Sequence, residues 1–130
     1  MTRPVLAFPA LEGMRYPRLE AQGLVAVVAG PADLVDLPLS DRQAVRVLMT
    51  SASRGCQMAV IEALPRLGLV VSQGAGQDKI DTAALAARGI VLRAVGETAT
   101  DDVADLAMAL TQMLCRGLVR ADAFARGGAW

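Results

Sequence analysis

Five short apolar runs punctuate this chain: Val5-Leu6-Ala7-Phe8, Leu24-Val25-Ala26-Val27-Val28, Val45-Arg46-Val47-Leu48-Met49, Leu69-Val70-Val71 and Ile90-Val91-Leu92. They are apolar almost continuously rather than at every second residue, which is the pattern of strands buried on both faces of a parallel sheet. Parallel strands need a crossover between each pair, and the intervening segments are long enough to supply one. With one Trp, one Tyr and two Phe in 130 residues, the core must be filled by Ala, Val, Leu and Ile. The expected architecture is therefore α/β, one domain of 130 residues with a five-stranded parallel sheet and helices on both faces.

The connecting segments agree with this. Leu11 to Gln22 and Cys56 to Leu64 have helical composition, and the second must end before Pro65. Asp81 is placed to cap a short helix that runs to Arg88 and stops at Gly89. Pro31 to Ser40, rich in Pro, Asp and Ser, reads as a loop holding a single helical turn.

From Thr98 or Thr100, either of which can act as N-cap, a helical pattern extends to about Arg126, with Asp101 and Asp102 at the positive end of its dipole. At about 100° per residue, Asp101, Asp105, Gln112, Arg116 and Arg120 form one narrow stripe. Val103, Leu106, Ala107, Leu110, Leu114, Leu118 and Ala121 lie opposite, and Met108, Cys115, Val119 and Met113 widen the apolar side. This arc exceeds the roughly 100° that one sheet face covers. A second domain or subunit is expected to cover the remainder, so the 100–126 helix is the surface through which a homo-oligomer would form.

Thirteen Lys plus Arg balance thirteen Asp plus Glu, so the chain lacks the basic footprint that nucleic acid or an anionic membrane selects. No apolar run approaches the roughly 20 residues of a membrane span, and Met1-Thr2-Arg3-Pro4 does not resemble a signal peptide. A cytoplasmic protein with no nucleic-acid or membrane partner is expected. Cys56 and Cys115 are expected to remain reduced and packed. Histidine is absent, which removes the side chain best suited to proton transfer near neutral pH.

One loop has chemical potential: Gly74-Ala75-Gly76-Gln77-Asp78-Lys79-Ile80-Asp81, between a strand and a short helix. Two glycines flanking a small residue let a chain turn sharply and expose N–H groups to an oxyanion such as a carboxylate. An ordinary turn with positive-φ glycines accounts for the same residues. A dinucleotide fingerprint would use Gly74-Ala75-Gly76 with Glu97 about 20 residues on, but Lys79 stands where its third glycine belongs and the next helix is short. No metal-ligand cluster and no other nucleotide-binding loop is present. The loop Ser51-Ala52-Ser53-Arg54-Gly55 lies at a strand's carboxyl end, where open α/β sheets bind ligands, so Ser53 and Arg54 are further substrate-contact candidates beside their reading as a solvated loop.

The order of residues from Leu64 onward resembles one family. Leu64-Pro65-Arg66-Leu67, Gly74-Ala75-Gly76 with Asp78, Ile80 and Asp81, Ala87-Arg88-Gly89-Ile90, Asp102 to Leu110, Arg116, Ala121-Asp122 and Arg126 to Trp130 are similar to successive landmarks of the D-isomer-specific 2-hydroxyacid dehydrogenases. The nearest branch by these residues is the hydroxypyruvate and glyoxylate reductases.

This resemblance implies a flavodoxin-like substrate-binding domain of a three-layer kind. It implies that the backbone amides of Gly74, Ala75 and Gly76 receive the carboxylate of a small 2-keto or 2-hydroxy acid. It also implies that NAD or NADP, a carbonyl-polarising arginine and a histidine proton donor belong to a dinucleotide-binding domain absent from these 130 residues. The chain by itself is then expected to bind no cofactor and to be inactive, the enzyme being an NAD(P)-dependent oxidoreductase in which this part only holds the substrate. The alternative is a free-standing α/β module that binds a small acid at the glycine loop and a partner through the long helix.

Overall fold

A computed structural model describes residues 3–9, 14–96 and 98–128. They fall into two compact units, divided between Gly96 and Glu97. In the first unit five strands form one sheet: β1 (Val5–Ala7), β2 (Val25–Val27), β3 (Val47–Thr50), β4 (Leu69–Ser72) and β5 (Val91–Ala94). All neighbouring strands are parallel, in the order β2-β1-β3-β4-β5. This is the doubly wound flavodoxin-like order.

The crossovers are a helix α1 (Pro17–Ala21), a 3-10 helix (Pro31–Asp36) followed by α2 (Leu39–Ala44), then α3 (Met58–Ala63) and α4 (Thr82–Ala87). Pro17 occupies the first turn of α1, where its missing N–H costs nothing and its fixed φ favours the helix. The start of the expected 11–22 helix lies outside the described residues; what is described of it is helical only from Pro17. The helical turn expected within 31–40 is the 3-10 helix, whereas α2 begins inside the stretch read as loop and continues beyond it. Asp81 does cap α4, its carboxylate accepting the Ala84 N–H at 2.9 Å, and Gly89 ends it with φ +64°.

Leu6, Leu48 and Val70 project from one sheet face into the main core, against Leu34 of the 3-10 helix, Val60 and Ile61 of α3, and Leu85 of α4. On the other face Ala7 and Val25 pack under Tyr16 and Leu19. Helices thus cover both faces, but unequally within this unit. Among the described residues of this unit the second face carries only the five-residue α1, so β3 and β4 alternate half-buried with buried and Val91 on β5 stays 43% exposed.

The second unit holds α5 (Thr100–Arg116) and α6 (Leu118–Arg126). The expected continuous helix is interrupted at Gly117, which turns into the left-handed region at φ +62° and donates to the Leu114 carbonyl. Glycine reaches that conformation at little cost and so ends one helix while starting the next. The N-cap position falls on Ala99, not on Thr98 or Thr100, and the alanine itself supplies no side-chain cap. Neither helix buries any residue within its own unit. Among the described residues, no helix is long and apolar enough to cross a membrane.

Candidate functional site

Because every strand runs the same way, the loops that follow β1, β3 and β4 gather at one edge of the sheet. The chain leaves β1 towards β2 and returns on the other side of β1 as β3. Ligands of open α/β sheets bind at the carboxyl edge beside such a switch point.

The β3 and β4 loops are tied together by backbone. Gln73 N–H donates to the Thr50 carbonyl at 2.8 Å, Cys56 N–H to Lys79 at 2.9 Å, and Asp81 N–H to Cys56 at 2.9 Å. Thr50 Oγ1 turns the β3 loop by donating to the Gly55 carbonyl at 2.7 Å. Lys79 Nζ adds a bond to the Ser53 carbonyl at 3.2 Å. The two loops therefore behave as one platform.

Gly74, Ala75 and Gly76 sit on that platform, and among the described residues their three N–H groups make no hydrogen bond to protein. Neighbouring unpaired amides are groups that can receive an anionic oxygen. Neither glycine has a positive φ, so the conformational reason given by the sequence for these glycines does not apply. Clearance bears on Gly74, where a β-carbon would stand 3.3 Å from Ala52 Cβ, tighter than ordinary contact; one on Gly76 would meet the same atom at 3.4 Å, close to ordinary contact. Ala52 is the residue that sequence reading passed over, for alanine carries no chemistry and its closeness to residues 22 and 24 positions later is visible only after folding.

The other candidates do not join the amides as a cluster. Ser53 is exposed, and its hydroxyl lies 3.0 Å from that of Ser51. The Arg54 side chain runs towards β1, its Nε donating to the Pro9 carbonyl at 3.2 Å. Gln73, also unforeseen, links the glycine loop to the other side of the sheet by donating from Nε2 to Tyr16 Oη at 3.0 Å.

Beneath the platform, Cys56 is fully buried, and burial together with the nearby Asp81 carboxylate pushes its thiol up to about 11. Cys115 is exposed in α5, contrary to the expectation that both thiols are packed; a helix that buries nothing within its own unit cannot shelter one. Among the described residues no His, Cys, Asp and Glu cluster fits a metal ion. The dinucleotide reading fares no better in three dimensions. The six-residue α4 already has the Asp81 carboxylate on its first turn, where a pyrophosphate would have to sit.

These features define a flavodoxin-like α/β protein whose Gly74–Gly76 loop, among the described residues, leaves three amides unpaired at the carboxyl edge. The family model for the catalytic domain of D-isomer specific 2-hydroxyacid dehydrogenases matches residues 5–125, and the chain belongs to that family. It is 37% identical over 87 residues to 2-ketogluconate reductase of Gluconobacter oxydans, covering 67% of this chain and 28% of that protein. Glyoxylate/hydroxypyruvate reductase A of Arabidopsis thaliana is also 37% identical, over 68% of this chain and 28% of its own length. The structure of the NADPH-dependent glyoxylate/hydroxypyruvate reductase of Sinorhizobium meliloti with NADP and malonate superposes with a TM-score of 0.68 at 28% identity, covering 99% of this chain and 40% of that one. The chain thus spans well under half the length of these relatives.

Proposed function

We propose that this chain is the substrate-binding part of an NAD(P)-dependent D-2-hydroxyacid dehydrogenase of the glyoxylate/hydroxypyruvate reductase kind. The observation that carries the reading is the set of three unpaired amides at Gly74, Ala75 and Gly76, held rigidly at the carboxyl edge. They receive the carboxylate of a 2-keto acid and so fix its carbonyl carbon at a defined height above the sheet. The nicotinamide supplies hydride from a separate dinucleotide-binding domain. A histidine-free chain cannot provide the usual proton donor, and the glycine loop lacks the third glycine of a nucleotide site, which supports assigning proton transfer and cofactor binding to that other domain; the family resemblance assigns carbonyl polarisation there as well. These residues bind and orient, which is a large part of the barrier in a bimolecular hydride transfer. Two free thiols fit a reducing cytoplasm.

Titration of the isotope-labelled chain with glyoxylate tests the site. Amide shifts should cluster at Gly74, Ala75 and Gly76, and a cluster elsewhere would overturn the assignment.

The second unit supplies the contact for a homo-oligomer. Between α5 and α6 lies a groove of about 620 Å³ whose lining includes Leu110, Met113, Leu114 and Val119 together with Arg116 and Arg120. The occupant is a second copy of this chain, whose own exposed apolar helix face matches the groove under a two-fold axis.

A further inference from the structure

Arg54 stands at the point of the sheet where a ligand is most readily received, and it has capacity to spare. The loop after β3 carries it across the switch point between β1 and β3, where Nε is anchored on the Pro9 carbonyl. A β-carbon on Gly30, beyond β2, would lie 3.8 Å from Nη1, so the guanidinium hangs over the carboxyl ends of β1 and β2. Among the described residues no carboxylate pairs with it, and Nη1 and Nη2 have no acceptor. One flank is apolar: Pro31, Leu34 and Val60 share with Arg54 the lining of a cavity of about 150 Å³. A guanidinium held by Nε alone, with its other two nitrogens open, is a fork for an oxyanion.

We propose that Arg54 is a second anion receptor, so that the favoured substrate is a 2-keto acid with another acidic group at its far end, a 2-keto dicarboxylate. The inference rests on the glycine-loop reading, which places the first carboxylate. The dimensions agree. β1 and β4 flank β3 and the guanidinium lies at or beyond β1, so strand order sets the two receptors at least about two strand spacings, or 10 Å, apart. A five-carbon dicarboxylate, about 5 Å between its end carbons, with a hydrogen bond of about 2.9 Å at either end, covers that distance. The uncharged tail of hydroxypyruvate would leave the Arg54 fork unused.

The test compares two acids of equal chain length, 2-oxoglutarate and 2-oxopentanoate, titrated into the labelled chain at pH 7.5. Both should shift Gly74, Ala75 and Gly76, and the dicarboxylate should bind about tenfold more tightly, the worth of one charge-assisted contact. Arg54→Gln should bring 2-oxoglutarate down to the affinity of 2-oxopentanoate and leave the latter unchanged. Arg54→Lys, which keeps the charge, should retain a preference and serves if the glutamine variant does not fold. Equal affinity of the parent chain for both acids would overturn the proposal, as would an Arg54→Gln variant that weakens both acids alike. An Arg54-dependent preference with amide shifts away from residues 74–76 would keep Arg54 as an anion receptor and refute the glycine loop. No saturable shift with either acid at about 50 mM would refute both.

Discussion

Gly55 passes so close to Lys79 that a β-carbon at position 55 would stand 2.7 Å from Lys79 Cβ, closer still to the Lys79 carbonyl oxygen, which Cys56 N–H uses as acceptor. Its φ of +75° is itself in the glycine-favouring region. Gly55→Ala therefore meets both strain and a clash, each of order 1–3 kcal/mol. We expect urea unfolding to show a loss of at least about 2 kcal/mol. A loss below about 0.5 kcal/mol would mean that the two loops are not held at this separation.

Gly74→Ala should cost about 1 kcal/mol by pressing on Ala52, and the cost should shrink when Ala52 is also replaced by glycine. A coupling of at least about 0.5 kcal/mol in the double-mutant cycle is the expected result. Additive effects would show that clearance is not the reason for the glycine.

The two thiols should differ sharply in reactivity. Cys115 is exposed and should be alkylated by iodoacetamide at pH 8 within the native chain, whereas Cys56 should react only on unfolding. Burial raises the folded-state value of Cys56 above that of the unfolded thiol, so its neutral form stabilises the fold fully below about pH 8.5. That contribution declines as pH rises towards about 11, and Cys56→Ala should flatten this alkaline decline. Equal labelling rates for both cysteines at pH 8 would contradict the burial of Cys56.

Glu20 behaves in the opposite sense. The Arg15 guanidinium and the Tyr16 N–H hold its carboxyl at about 2, so the pair contributes above the ordinary carboxylate range near pH 4.5 and the contribution is lost as pH falls towards 2. Glu20→Gln should lower the Tm at pH 7 by more than at pH 2.5, which thermal scans at both values will check. An equal shift at the two pH values would rule out the charge as the cause.

Leu114 is 83% exposed within the second unit and lies in the groove between α5 and α6. Burying one leucine side chain is worth about 1.5–3 kcal/mol, and a symmetric pair gains it twice. Sedimentation equilibrium at tens of micromolar should show a dimer, and Leu114→Asp should make it monomeric. A clean monomer for the parent chain would refute self-association through these helices.

What could be read before folding was whatever depends on neighbours along the chain. Continuous β-branched runs at Val25, Val47 and Val70 announced parallel strands, and Asp81 announced a helix start because capping involves residues only three positions apart. The stop at Gly117 was also local and legible in principle. The apolar period continued across it, and periodicity outweighed a single glycine in the reading although the αL turn decides the backbone. Tertiary structure alone decided the rest. Gly74 lies tight against Ala52, and Arg54 reaches Pro9, 45 residues earlier, because sheet order sets strands side by side in an arrangement unrelated to their spacing in sequence. Propensities act over a few residues, whereas these contacts follow from the register of β1, β3 and β4, which forms only when the whole sheet closes on its core.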